Sequence, residues 1–340
     1  MIRQLAAAAA LVLTLGACGG GGSDGGGAEP APAAQPSPLA DAELYVNPEG
    51  HAVQQSATWR KQNRGDLVEL IQPMSEQPVA TWFTGDQGDP YLEARALTRA
   101  AAREGQVPVL VAYNLPNRDC GQYSSGGAEN IDAYLSWLGS LAAGIEDREA
   151  IVVLEPDAIA HAIEGCAGAT GDPYPLLAEA VGILKRQPNV SVYVDAGNAS
   201  WIDDVDALAA ALRASGVDDA DGFALNVSNF ETTEASAEYG EQLSGRLDGA
   251  HFVIDTSRNG AGPPEGSGTG DHSSWCNPDE ARLGAPPHTD PASTDPELDK
   301  VDALLWVKQP GDSDGECGPG QPPAGTFSLE LAGGLLDQPL

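Results

Sequence analysis

Seven runs of β-branched and aromatic residues recur along this chain, and nearly all deliver a polar or acidic residue at their C-terminal ends. They are Val79–Gly85, Val107–Leu115, Ile151–Asp157, Val190–Gly197, Gly222–Asn229, Phe252–Ser257 and Leu304–Gln309. Near-continuous apolar runs of this length describe parallel strands buried on both faces. Between them, Pro90–Glu104, Ile131–Ile145, Pro175–Lys185, Val205–Ala214 and Thr233–Leu247 read as helices of the length a βαβ crossover needs. In the first, Leu92, Ala96 and Leu97 share one face. The expected fold is therefore α/β: a distorted parallel (β/α) barrel of about seven strands, with its chemistry at the C-terminal strand ends. A doubly wound open sheet is the alternative, but no Gly-x-Gly-x-x-Gly follows the first strand. The stretch Arg258–Asp299 breaks the rhythm with Gly, Pro, Ser and Trp275, and so long an irregular segment in a compact domain is usually functional.

Hydrophobic residues make up 41% of the 340, ample for a packed core, while the formal charge of −33 argues against nucleic acid as a partner. The N-terminus reads as an export signal. Arg3 precedes the apolar run Leu5–Leu15, which is too short to span a bilayer, and Leu15-Gly16-Ala17-Cys18 has the form of a lipobox. We expect a signal peptide at 1–17, a flexible Gly/Ala/Pro linker at 18–40 lipid-anchored through Cys18, and a catalytic domain at 41–340. Ordinary secretion, with Cys18 incidental, is the competing reading. The other four cysteines, Cys120, Cys166, Cys276 and Cys317, allow three pairings in an exported chain. Spacing favours Cys120–Cys166 and Cys276–Cys317, each closing a loop beside a strand end.

Asp119, Asp157, Asp195, Asp255 and Asp314 fall at or just beyond the strand ends. Asp119 and Asp157 follow the second and third strands, which a barrel places side by side. Two carboxylates in one cleft cannot both ionise freely, so one gains a raised pKa and can serve as an acid near neutrality. Glycoside hydrolysis needs such an acid, with a base or nucleophile across the sugar ring. The bland alternative is that both aspartates cap the helices that follow. Trp82, Tyr113, Trp201, Trp275 and Trp306 lie near the same ends and suit stacking on sugar rings, against the simpler reading of core packing. Lys308, Asp312 and Asp314 add charge beyond the last strand, where a solvated turn would also explain them. The five histidines form no His-x-His or His-Glu-x-x-His set, and neither a Gly-x-Ser-x-Gly elbow nor a P-loop is present, so no metal or cofactor is expected.

The ordered segments VAYNLPNRDC (111–120), VLEPD (153–157), YVDAG (193–197), NVSNF (226–230), IDTSRNG (254–260), Trp275-Cys276 and WVKQPGDSDG (306–315) resemble glycoside hydrolase family 6, the inverting cellulases. The resemblance runs from Tyr45 to about Leu336. It implies that Asp157 is the general acid, that Asp119 keeps that acid protonated and orders the water chain, and that Asp314 is the proposed base. It further implies that Tyr113 helps distort the sugar, that Ser125 handles the nucleophilic water, and that Asp195 is a further cleft aspartate. Trp82, Trp201, Asn229, Trp275, Lys308 and Asp312 would line glucosyl subsites, and the family's disulfide pairing agrees with the one favoured by spacing. Asp255 has no catalytic counterpart, and a structural role is expected for it.

Two positions depart from the family pattern: Asn198 stands where His is usual and Asp312 where Glu is usual. Both concern sugar positioning, and they motivate the rival expectation of a surface sugar-binding lipoprotein that has lost turnover. A cellobiohydrolase is the rival within the family. Because Gly121–Gly127 is short and Cys276–Cys317 carries no long insertion, the expectation is an open cleft and an endo-β-1,4-glucanase. The expected partner is a β-1,4-glucan polysaccharide or oligosaccharide bound by a monomeric protein, with membrane contact only through Cys18.

Overall fold

The computed structural model describes residues 37–40, 42–166, 172–264 and 275–338. The expected signal peptide, Cys18 and most of the linker lie outside the described residues. Seven strands run parallel: β1 (Thr81–Phe83), β2 (Val109–Ala112), β3 (Ala150–Leu154), β4 (Val190–Asp195), β5 (Gly222–Leu225), β6 (His251–Asp255) and β8 (Val301–Leu305). A two-residue strand, β7 (His288–Thr289), pairs antiparallel with β8, giving the order β1-β2-β3-β4-β5-β6-β8-β7. The sheet curls until the residues just before β1 meet those just after β8. Val79 bridges Trp306 in parallel, and Ala80 N–H donates to Trp306 O at 2.9 Å. The expected distorted barrel of seven parallel strands is what forms, closed at that seam.

Strand alternation explains why the apolar runs are unbroken. Val109, Val111, Ile151, Val153, Ala224, Val253, Ala303 and Leu305 fill the barrel interior. Their neighbours Leu110, Val152, Leu154, Val192, Phe223, Phe252 and Ile254 face outward into the layer packed by the helices. Each large side chain buried this way contributes about 1.5–3 kcal/mol. Leu39, four per cent exposed, joins the interior set, so the fold reaches back into the last residues of the expected linker.

The crossover helices match expectation closely: α3 (Pro90–Glu104), α4 (Ile131–Ile145), α6 (Tyr174–Leu184), α7 (Val205–Ala214) and α8 (Thr233–Arg246). Asp89, Asn130, Asp204 and Thr232 cap four of them by accepting backbone N–H bonds. Unanticipated are α1 (His51–Lys61), α2 (Gly65–Ser75), the short α5 (Ala158–Ile163) and α9 (Leu329–Leu335). The last parallel strand begins three residues earlier than the apolar run Leu304–Gln309 indicates. Asp302 makes its first half look polar. In the fold Asp302 is fully buried, accepting from Tyr193 Oη at 2.7 Å and facing His251 Nδ1 at 2.8 Å.

One helix–sheet contact leaves no spare room. A Cβ added at Gly240 on α8 would lie 2.3 Å from the Phe252 ring of β6. Gly240→Ala should therefore destabilise the fold by about 1–3 kcal/mol, read as a lowered midpoint in denaturant unfolding, despite the better helix propensity of alanine.

Candidate active site

A groove of about 990 Å³ crosses the C-terminal end of the barrel. Of the residues singled out from sequence, Asp119, Asp157 and Asp314 line it, as do Trp82, Tyr113, Ser125, Asn198, Trp201, Asn229, Trp275, Lys308 and Asp312. Asp195 does not. It sits beneath the groove, one per cent exposed, and accepts hydrogen bonds from the N–H groups of Asp157 (2.9 Å) and Gly197 (3.1 Å). Trp306 is also off the groove, two per cent exposed, with its indole N–H bonded to Ala285 O.

Asp157 occupies the N-cap position of α5, yet its carboxylate makes no capping bond. The side chain is instead free to face the groove. Its backbone is held at φ +70°, and that of Glu155 at φ +47°. Such left-handed conformations cost free energy in non-glycine residues and persist only where surrounding structure imposes them. Burial pushes the Asp157 carboxyl up to about 6, with the Asp119 charge adding to the rise and His161 opposing it. One oxygen from each of Asp119 and Asp157 and a ring nitrogen of His161 lie within 4.8 Å of one another. Asp119 follows β2 in a 3-10 turn at Asp119–Gly121, and its second oxygen accepts Ser124 N–H at 2.6 Å. That bond organises the loop carrying Ser125.

Asp314 lives in the opposite electrostatic setting. Arg258 Nη1 reaches it at 2.8 Å and Lys308 Nζ at 2.9 Å, while Asn277 N–H donates at 3.0 Å. These cations outweigh the cost of burial and hold the carboxyl down at about 2. Asp312, five per cent exposed, bonds His51 Nδ1 through one oxygen at 2.8 Å, and its other oxygen has no partner among the described residues. The indole of Trp82 donates to Val307 O and packs edge-on to Tyr113, with ring centroids 5.2 Å apart. Arg118 stacks over Tyr113 at 4.8 Å, and one of its Nη atoms donates to both Tyr113 O and Thr84 O.

Asp255 is structural, as expected. Its carboxylate accepts N–H bonds from Ser228, Ser257, Val307 and Lys308, stitching the ends of three strands. Both expected disulfides form. Cys120–Cys166 ties the Asp119 turn to the end of α5, and Cys276–Cys317 ties the Trp275 segment to the Asp314 loop. Sequence reasoning missed His161, Tyr123, Arg258, His51 and Glu155. His161 and Glu155 flank Asp157 in the very segment identified, and their spacing from it was the available signal. Tyr123, half exposed, lies over Gly315 and edge-on to Trp275 at 6.1 Å, which no sequence spacing discloses.

With this geometry in view, comparison with known proteins gives a family. The chain matches Glycosyl hydrolases family 6 over residues 39–338. It is 36% identical to endoglucanase 1 of Streptomyces halstedii, over 89% of this chain and 91% of that one. A solved endoglucanase from Mycobacterium tuberculosis, in complex with methyl-cellobiosyl-4-deoxy-4-thio-β-D-cellobioside, superposes with a TM-score of 0.79 at 39% identity, covering 88% of this chain and 98% of its own. A probable 1,4-β-D-glucan cellobiohydrolase C of Aspergillus terreus is 28% identical over 82% of this chain and 67% of its own length. The chain belongs to glycosyl hydrolases family 6.

Glu155 supports the site from below. Fully buried, it accepts N–H bonds from Asn114 and Leu115 at 3.0–3.1 Å, and burial pushes its carboxyl up to about 7. Glu155→Gln would turn an amide NH₂ toward those donors. We expect it to cost about 1–3 kcal/mol in stability and to lower activity by loosening the Arg118–Asp119 loop. Thermal unfolding and initial rates on soluble glucan check this, and unchanged values in both would refute it.

Proposed function

We propose that this protein is an inverting endo-β-1,4-glucanase, and that Asp157 is its proton donor. The observation that carries the reading is the Asp119–Asp157 pair at neighbouring strand ends, with Asp157 uncapped, facing a long groove and raised to about 6. A carboxylic acid there can protonate the leaving glycosidic oxygen, while a water attacks the opposite face of the ring. Support for the endo mode comes from relatives: those named endoglucanases match at 35% to 39% identity, and those named cellobiohydrolases at 28% or 29%. Trp82, Trp201 and Trp275 offer ring faces for glucosyl units along the groove, with Tyr113, Asn198, Asn229 and Asp312 supplying polar contacts.

Asp314 plays a different part from a simple base. Two ion pairs leave it with little affinity for a proton, so it remains anionic and is a poor direct acceptor of the water's proton. The water's proton leaves by way of Ser125 and Asp119, on the loop that the Asp119–Ser124 bond fixes.

Asp157→Ala should lower the release of reducing ends from carboxymethylcellulose or β-glucan by about 10²–10⁴-fold. The first-formed product should be the α anomer by NMR. Because Asp157 must be protonated to act, kcat/KM should fall as pH rises through about 6. Retained activity in the variant, or a β anomer first, would overturn the assignment.

No helix among the described residues is long and apolar enough to cross a membrane. We read residues 1–17 as an export signal and Cys18 as the lipidated first residue of a tether holding a monomeric enzyme at the outer face of the cell membrane. Labelled palmitate should be incorporated by the native chain and not by Cys18→Ala, and the variant should move to the medium. Equal labelling of both would dismiss the anchor.

A further inference from the structure

His161 lies at the acid site without belonging to the set read from sequence. It follows Asp157 by four residues, and its N–H donates to Asp157 O at 2.9 Å, so α5 brings both side chains to one face. Its Nε2 lies 3.7 Å from Asp119 Oδ1, within ion-pair range, and both side chains are nearly buried. Two constraints fix that separation. The imidazole packs edge-on to Trp201 with centroids 4.9 Å apart, and Cys166, whose N–H donates to His161 O, is disulfide-bonded to Cys120 beside Asp119. A histidine that served only to fill space would need neither the facing carboxylates nor a position on the groove wall.

We propose that His161 is a positioning residue of the acid site, which holds Asp119 in place by its charge and sets the pH at which Asp157 surrenders its proton. This inference rests on Asp157 being the general acid.

The groups facing His161 are few. Asp119 comes from the turn after β2, Asp157 from the end of β3, and Glu164 from just beyond α5 itself. Helix α7, which also packs against α5, buries Leu208, Ala209, Ala211 and Leu212. Asp157 is faced in addition by Tyr113 and Lys308 and has Asp195 beneath it. The neighbouring carboxylates raise His161 above the usual imidazole value against the opposing effect of burial. With His161 protonated, Asp119 ionised and Asp157 protonated, the three groups together are neutral, which is the arrangement that suits a buried site. Removing the imidazolium leaves the Asp119 charge unopposed beside Asp157. The acid then keeps its proton to higher pH.

The test is the pH dependence of kcat/KM for His161→Asn and His161→Gln beside the native enzyme. Both variants can still donate a hydrogen bond toward Asp119 but carry no charge. The alkaline limb should move up by about one pH unit in each, while His161→Ala should also lose rate on the acidic plateau. Superimposable alkaline limbs would overturn the proposal, since a purely structural histidine could change rate without displacing the limb. A second measurement does not depend on those variants folding. In Asp119→Asn the NMR titration midpoint of His161 should fall, and an unmoved midpoint would equally overturn the idea. Failure of the underlying reading looks different: Asp157→Asn would remain active. An inactive Asp157→Asn enzyme with an unmoved limb in His161→Asn would reject the role of His161 alone.

Discussion

The active end of this barrel depends on buried carboxylates that accept backbone N–H groups from neighbouring loops. Asp255 takes four such bonds, Glu155 those of Asn114 and Leu115, and Asp195 those of Asp157 and Gly197. Parallel strands end with unsatisfied amides, and the loops beyond them cannot borrow partners from a continuing ladder. A carboxylate at the strand end accepts several N–H groups at once, with charge-assisted bonds stronger than neutral ones. The loops that carry Asp119, Asp157 and Lys308 are thereby fixed without packing material placed in the groove. Asp157 keeps its proton chiefly because it is buried, with the Asp119 charge adding to the effect.

This division of labour separates acids that look alike in the sequence. Asp157, Asp195, Asp255 and Asp314 all close or follow apolar runs, and composition treats them equally. Their partners distinguish them. Asp255 is saturated by N–H groups, Asp314 is neutralised by Arg258 and Lys308, and Asp195 supports the backbone of Asp157. Asp157 alone among these four combines exposure to the groove with an environment that retains a proton. A general acid and a fixed anion thus arise from one residue type a few strands apart, because burial beside Asp119 raises the one while Arg258 and Lys308 hold the other down.

Most of the scaffold was legible because near-continuous apolar runs and helix-length crossover segments are local signals. The β2 and β3 runs, the helix-length segments between strands and the two disulfide spacings led directly to their elements. What was not legible depends on pairs distant in sequence. Asp302 broke the apolar run of β8, yet it is buried because Tyr193 and His251 reach it from β4 and β6. Asp195 matched a cleft residue and lies below the cleft, since its orientation follows from the unusual turn at Asp157. Helix α5 is too short for a periodic signal, so the placement of His161 beside Asp119 depends on a tertiary fold and a disulfide that close only in three dimensions.

The backbone itself shows where the fold accepts strain for function. Asn117, Asp119 and Cys120 beyond β2, Glu155 and Asp157 beyond β3, and Asn226 and Ser228 beyond β5 all adopt positive φ without being glycine. Each costs about 1–3 kcal/mol, and their concentration at one end of the barrel is not what a sequence selected for stability alone would produce. Glycine at these positions would relieve the strain but remove the side chains. At Asp157 the left-handed turn points the carboxyl away from the helix it would otherwise cap and into the groove. The Asp195 bond to its N–H and the Glu155 clasp on the adjacent loop hold that conformation against relaxation. The buried acids therefore maintain the strained turns, and those turns present Asp157 to the groove in a buried setting that keeps its carboxyl protonated.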